Sequence, residues 1–549
     1  MRGMGRTLFL LFLIAGAGAA VYSSTFEAPF VFDDPTNIIN NPLIRSFDYF
    51  LSSGKVQKLP ADFVGPGLRL AFETRPVGFL TFALNYRLNG LDVWGYHLFN
   101  ILIHIVNSVL VFGLVMVTFK TPSIRGKDGL KGHHAQAVAF LTGLFFAVHP
   151  VQTQAVTYIS QRFASLAALF YLGSLLSYAG SRLSEGKKTK LLLYVASLSG
   201  AVLAIFTKEI SFTLPVVLAL YEFVFFEGTS RRRAALLLPF FSTMLVIPLK
   251  LVSGGLHDSM RLLAASEGVS RWDYLFTEFR VIVTYIRLLF FPVGQNLDYD
   301  YPVYHSLFQL PVLLSFLFLS GLFILSVHLL GRSNQKSDKP GLKLVSFGVL
   351  WFFITLSVES SIIPIGDLIF EHRLYLPSVG FFLAGTVILL SLVFSASVQG
   401  RVKQFRYPAF LILLVPALVL GVAAYERNNV WGTRVGLWED TARKSPLKPR
   451  PHRNLALSYY EAGRFMDAIR EGRVAAALAP EDPVVHSNLG LSYEKAGMLH
   501  EAANEFRAAL KIDPSNSFYH YNLGMAYKRL GRVEEARKEF EESIALSIK

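Results

Sequence analysis

Two adjacent carboxylates, Asp33 and Asp34, stand in the stretch FEAPFVFDDPTNIINNP, residues 26–42. Neighbouring acids repel, so a plain surface loop has little reason to hold them together. A carboxylate partly desolvated beside another has a raised proton affinity, which suits a general base that takes a proton from a hydroxyl. Two other uses stay open: ligation of a divalent cation, since hard cations take carboxylate oxygen, and an Asx-type turn ahead of Pro35. Asp34 precedes a proline and is expected to be extended, with successive side chains on opposite faces, so one acid of the pair would face a given substrate atom.

Cations and further acids sit at the mouths of apolar runs. They are Arg75 in FETRPVGFL, Arg162 in TYISQRFASL, Lys208 beside Glu209 in FTKEISFTLP, and Glu371, His372 and Arg373 in FEHRLYLP. Arginine at a water–lipid boundary snorkels to headgroups, and this accounts for any one of them alone. Several converging cations fit an anion held next to hydrocarbon, such as a lipid-linked phosphate, to which a guanidinium forms paired bonds. His149 in FFAVHPVQTQAV reads equally as a hydrogen-bonded structural histidine and as a phosphate donor.

The elements that must position these groups are membrane helices. The 549 residues are 52% hydrophobic and 14% aromatic, too apolar for a soluble multidomain chain, and apolar runs of spanning length recur to about Ala424. The formal charge of +14 lies in connections between those runs, where it serves topology, so no nucleic-acid partner is expected. With no cysteine there are neither disulfides nor thiolate metal sites. Basic connections such as EGTSRRRAA alternate with others nearly free of positive charge, such as VESSIIPIGDLIFEHR. The positive-inside rule then puts the N-terminus in the cytoplasm, and the first loop, the loop from Ser253 to about Ser306 and the C-terminal region outside. The first apolar run reads as a span, with a cleaved signal peptide as the alternative. The run at 275–292 contains Glu278, Arg280 and Arg287 and reads as re-entrant or interfacial, leaving about eleven spans.

The C-terminal region repeats. Asn454, Asn488 and Asn522 lie 34 residues apart, as do Gly463, Gly497 and Gly531, and Ala468, Ala502 and Ala536. That period predicts three tetratricopeptide helix pairs at 449–482, 483–516 and 517–549, with 426–448 as a linker or cap. Their concave groove would hold a polypeptide.

The ordered set VFDDPTNIINNP, RPVGFLTFALNYRLNG, YHLFNILIHIVNS, HPVQTQAVTYISQR, TKEISFTLP and EHRLYLPSVGFFL, followed by such repeats, resembles the transmembrane and tetratricopeptide-repeat O-mannosyltransferases. The chain looks like a bacterial relative of that family. The resemblance implies an all-α fold: a polytopic transmembrane helical bundle of GT-C type over 1–425, with a catalytic first outer loop at 25–75, followed by a tetratricopeptide solenoid. It implies an inverting glycosyltransferase of the inner membrane that moves mannose or another hexose from a polyprenyl-phosphate donor to Ser/Thr hydroxyls of exported proteins, the repeats presenting the acceptor. Asp33 and Asp34 would be the catalytic acids. Arg75, Arg162, Lys208, His372 and Arg373 would bind the donor phosphate, with His149, Glu209 and Glu371 in support. Its partners would be the lipid-linked donor, the acceptor polypeptide and membrane lipids. No metal or other cofactor is implied, and a divalent cation stays an open use of the acids. Gln154 stands where animal members have a glutamate, and Ala164 where an acid often follows the arginine. The competing readings are a non-catalytic membrane-anchored repeat scaffold and a GT-C enzyme acting on an envelope glycan or lipid.

Overall fold

The computed structural model describes residues 2–51, 53–60, 63–125, 132–246, 248–249, 269–335, 340–398 and 406–548. Parts of three basic connections (126–131, 336–339 and 399–405), and residues 253–268 of the loop expected to begin at Ser253, lie outside the described residues. Among those described there is no β-strand. The chain divides into two compact units: residues 1–295 with 302–429, and residues 296–301 with 430–549.

The first unit is a bundle of apolar helices. In chain order they are α1 (Arg2–Val21), α2 (Pro66–Thr74), α3 (Pro76–Asn89), α4 (Val93–Thr118), α5 (Gly132–Val148), α6 (Arg162–Leu183), α7 (Lys187–Ile205), α8 (Leu214–Phe225), α9 (Ser230–Thr243), α10 (Arg271–Phe290), α11 (Leu310–Gln335), α12 (Pro340–Leu356), α13 (Pro377–Val398) and α14 (Arg406–Val430). Five described helices are long and apolar enough to cross a membrane: Met4–Val21, Val93–Thr118, Ile159–Leu183, Lys187–Ile205 and Leu310–Ser333. A sixth follows if His134–Val148 and Pro150–Val156, bent by 53°, form one broken span. Residues 275–292 lie almost wholly in α10, one continuous helix that is not among these five.

Local chemistry explains several boundaries. Asp92 caps α4 by accepting from Trp94 N at 3.1 Å, and prolines open α2 and α3, where a missing N–H costs nothing. Along α4 the residues His97, Asn100, His104 and Asn107 recur at helical spacing. They bond to the Ala28, Val156, Ala147 and Ser165 carbonyls, so one polar stripe knits the first loop to the broken helix. The first loop has a core of its own, in which Phe72, Phe79 and Phe82 pack with Tyr96 and Phe163. Each such ring contributes about 1.5–3 kcal/mol of burial. Helices α12 and α13 approach so closely that a Cβ on Gly348 would lie 2.4 Å from the Gly380 carbonyl oxygen.

The second unit opens with α15 (Arg434–Lys444), followed by the pairs α16 (Pro449–Glu461) and α17 (Phe465–Leu478), α18 (Pro483–Lys495) and α19 (Leu499–Ile512), and α20 (Ser517–Arg529) and α21 (Val533–Ile548). Gly463, Gly497 and Gly531 turn each pair at φ of 74°, 79° and 76°, a left-handed conformation that favours glycine. In α15, within the segment expected to be a linker or cap, Leu437 and Trp438 are buried and Glu439 accepts from Tyr459 Oη at 2.6 Å.

One contact repeats with the period. His452, His486 and His520 each bring Nδ1 to a glutamate, Glu471, Glu505 and Glu539, at 2.9, 2.7 and 2.6 Å. Each brings Nε2 to the carbonyl of Pro446, Pro480 or Pro514 at 3.1, 2.9 and 3.1 Å. The residues Asn296–Tyr301 also belong to this unit. Asp298, almost fully buried, receives Arg450 through Nε and Nη2, both at 2.6 Å, and Lys448 Nζ at 2.6 Å, while Ser445 Oγ donates to its carbonyl at 2.7 Å.

Candidate active site

The two acids part company at Phe32, whose φ of 55° is the single positive value at a non-glycine residue among those described. Strain of this kind costs of order 1–3 kcal/mol and needs over-determined surroundings, here the Tyr158 and Phe370 rings edge-on to Phe32. Asp34 is not extended as its place before Pro35 predicts. Its φ of −60° and ψ of −38° are helical and open a short turn at Pro35–Ile39. The carboxylate offsets the pre-proline clash: Oδ2 accepts from Val31 N at 2.9 Å, and Oδ1 accepts from Ser160 N at 2.8 Å and Ser160 Oγ at 2.5 Å. Asp34 is 0% exposed, and this burial pushes its carboxyl up to about 7. Asp33 is exposed, with its backbone N–H donating to Tyr158 Oη at 2.9 Å. Opposite orientation of the pair thus arises from a turn rather than from an extended strand.

Asp33 lines a cavity of about 1160 Å³ at one end of the bundle. Arg75, Lys208, Glu209, His372 and Arg373 line it too, contributed by the junction of α2 and α3, the link from α7 to α8 and the turn before α13. Arg75 forks onto Glu209, with Nε 2.9 Å from Oε1 and Nη2 2.9 Å from Oε2. Lys208 Nζ lies 2.8 Å from Glu359 Oε1. Arg373 donates from Nη1 to the Leu368 carbonyl at 2.9 Å and from Nη2 to the Asp367 carbonyl at 2.6 Å. His372 takes Gln154 Oε1 on its backbone N–H at 2.7 Å and stacks on Phe370. Burial, together with the cations Lys208, Arg373 and Arg75, holds the imidazole well below its ordinary value, so it brings no charge to the wall. The lining also includes apolar side chains, among them Val216, Met244, Pro248, Phe323 and Phe353.

Four residues singled out in the sequence do not line the cavity. Asp34 lies behind it. Arg162 is 0% exposed and turned inward, its Nε to Asn100 Oδ1 at 2.6 Å, Nη1 to Asn85 Oδ1 at 2.5 Å and Nη2 to the Tyr96 carbonyl at 3.0 Å, under the Phe82 and Phe99 rings. His149 donates from Nε2 to the Leu289 carbonyl at 3.1 Å, and Glu371 accepts from Gln295 Nε2 at 2.6 Å. Conversely, Glu359 and Asp367 line the cavity and were not singled out. Both come from VESSIIPIGDLIFEHR, whose low positive charge marked it as an outer connection, and nothing in its spacing distinguishes it from an ordinary loop. Among the described residues no cluster of three or more His, Cys, Asp or Glu could hold a metal ion.

A tetratricopeptide-repeat family model matches residues 487–548. Over 87% of its length the chain is 25% identical to protein O-mannosyl-transferase F38B6.6 of Caenorhabditis elegans, covering 64% of that protein. It is 26% identical over 85% of its length to protein O-mannosyl-transferase TMTC1 of Homo sapiens, covering 55% of that one. The chain therefore spans less than two thirds of the length of these relatives. Among solved structures, the crystal structure of MamA aligns with 24% of this chain and 78% of its own at 18% identity and a TM-score of 0.21, too low to bear on fold or function.

Proposed function

We propose that the chain is a membrane glycosyltransferase that moves a hexosyl group, mannose in the first instance, from a polyprenyl-phosphate donor to Ser/Thr hydroxyls of a polypeptide. In this reading about eleven helices span an inner membrane in the GT-C manner, α10 stays at the interface, and the cavity and the repeats face away from the cytoplasm. The observation that carries it is one exposed carboxylate, Asp33, in a cavity lined both by the cations Arg75, Lys208 and Arg373 and by apolar side chains such as Val216, Phe323 and Phe353. An amphiphile with an anionic head and a hydrocarbon tail matches a lining that offers both. The similarity to protein O-mannosyl-transferases supports the reaction class.

Asp33 takes the proton of the acceptor hydroxyl as its oxygen attacks the anomeric carbon. The bond from that carbon to the phosphate oxygen breaks, and its electron pair leaves with the lipid phosphate, with inversion at the sugar. Arg75, Lys208 and Arg373 stabilise charge growing on the phosphate, a demand that preorganised cations meet at low reorganisation cost. Asp34 touches no substrate; it pins the turn that aims Asp33. Arg162 locks α3, α4 and α6 together behind the site. The test is transfer of labelled sugar from polyprenyl-phosphate sugars to protein in membranes, with Asp33→Asn and Asp34→Asn made separately at equal abundance. Loss of label in Asp33→Asn supports the reading, and undiminished label in that variant overturns it.

A further inference from the structure

α10 buries an acid that the chemistry above does not use. Glu278 is 1% exposed, and neither of its carboxylate oxygens has a hydrogen-bond partner. Its cationic neighbour is Arg373, with Nη1 4.0 Å from Oε1. A buried carboxylate without hydrogen bonds is costly, and chains keep one where it serves a neighbouring charge. The same face of α10 holds both ends of the loop that carries Glu359 and Asp367. Tyr274 Oη donates to the Glu359 carbonyl at 2.8 Å, and Tyr285 Oη donates to the Phe370 carbonyl at 2.9 Å and accepts from Phe370 N at 3.0 Å. Tyr274, Glu278 and Tyr285 follow at spacings of four and seven, one stripe of a helix.

Arg373 differs from the other two cations of the wall. Arg75 and Lys208 touch their carboxylates, whereas Arg373 spends its bonds on the Leu368 and Asp367 carbonyls and keeps its carboxylate at a distance. Neutral carbonyls are partners that a phosphate oxygen can replace. A desolvated guanidinium with no counter-charge would instead take its balance from the ligand and hold it too long.

We propose that Glu278 is the built-in counter-charge of Arg373, a positioning residue that limits how tightly the cation wall holds a phosphate, so that the leaving lipid phosphate is stabilised during transfer and released afterwards. This rests on the phosphate reading of the cavity given above. Removing the charge tightens anion binding and slows turnover, the opposite of what loss of a merely structural contact does.

The experiment uses the full chain, purified in detergent at pH 8, with a short-chain isoprenyl phosphate as the titrant and sugar transfer measured in parallel. Glu278→Gln is expected to bind the phosphate about tenfold more tightly, with kcat and donor KM falling together. Glu278→Asp, which draws the charge back, is expected to tighten binding by a smaller factor and serves if the first variant does not fold. Arg373→Gln weakens binding, and the double variant binds like Arg373→Gln alone. Unchanged or weaker binding in folded Glu278→Gln or Glu278→Asp overturns the proposal, as does additivity in the double variant. If the unaltered chain binds the phosphate but transfers no sugar from any donor, the transferase reading fails while the variant ratios still decide the role of Glu278. If it does not bind the phosphate, both fall.

Discussion

Asp33 and Asp34 are chemically identical and one bond apart along the chain, yet one faces a cavity and the other is enclosed by donors. Asp33→Asn should therefore abolish transfer while thermal unfolding stays within about a degree. Asp34→Asn should lower both, because an amide nitrogen must then face an N–H of Val31 or Ser160, a loss of about 1–3 kcal/mol. The two effects separate when unfolding and transfer are measured on the same preparations. Asp34 also predicts a pH dependence. Its folded value of about 7 lies above its ordinary 3.8, so the folded state binds the proton more tightly. Its contribution to stability is fully present below about 3.8 and is lost as pH rises through about 7. A melting-temperature series from pH 4 to 8 should show this decline in the unaltered chain and its absence in Asp34→Asn. The acids and most of the cations were legible in the sequence, because each stands at the edge of an apolar run. Which of two adjacent carboxylates turns outward was not, since that depends on Phe32 and on Ser160, more than a hundred residues away. Arg162 looked like a surface cation for the same reason: the asparagines that draw it inward, Asn85 and Asn100, are visible only after α3 and α4 fold against α6.

At the scale of elements, spacing alone pointed to tetratricopeptide repeats, which the family model matches at 487–548, because helix-pair packing fixes small residues at one period. The histidine ladder needed coordinates. Each imidazole faces a carboxylate and a carbonyl, both acceptors, and at His452 and His486 this pairing favours the doubly protonated, positively charged ring. The hydrogen bond to Glu471 raises His452, with burial opposing; at His486 burial works downward, and the bond to Glu505, the Pro480 carbonyl and the charges of Glu505 and Asp482 together outweigh it. Folded values above the ordinary 6.5 mean that this stability is fully present below 6.5 and is lost as pH rises through the raised values. The repeats should unfold at lower temperature at pH 9 than at pH 6, and His486→Gln should flatten that difference; a melting temperature independent of pH in the unaltered chain would count against the ladder. In the bundle, Gly348→Ala should separate α12 from α13, since the new Cβ meets backbone rather than a movable side chain. The expected cost is about 1–3 kcal/mol. Because α13 follows directly on Arg373, transfer should fall with stability, measured as label per folded protein. The odd charges of α10 were visible in the sequence and read as a sign of an unusual membrane segment; that Tyr274 and Tyr285 of the same helix hold the loop that lines the cavity was not, because the partner residues lie some eighty positions on.

For the whole molecule, the division into units does not follow the chain as a simple boundary near Tyr425. Residues 296–301 lie between two stretches of the first unit and pack with the second, tied by Asp298 to Lys448 and Arg450. Asp298→Asn should cost about 3–5 kcal/mol in the repeat unit, the penalty for breaking a buried pair, and should open residues 296–301 to limited proteolysis. Protection equal to that of the unaltered chain would mean that contacts other than the Asp298 carboxylate, such as those to Ser445 and from Lys448 to the Tyr299 carbonyl, suffice to hold the hexapeptide.

That arrangement also orders the protein in time. Asp298 leaves the ribosome 150 residues before Lys448, a delay of roughly ten seconds at ordinary synthesis rates. During that interval the helices of the first unit can insert and pack, while an acid destined for burial waits in solution for cations not yet made. A chain halted before the first repeat keeps that acid uncovered permanently. An incomplete product is thus marked at a point far from where it was cut short.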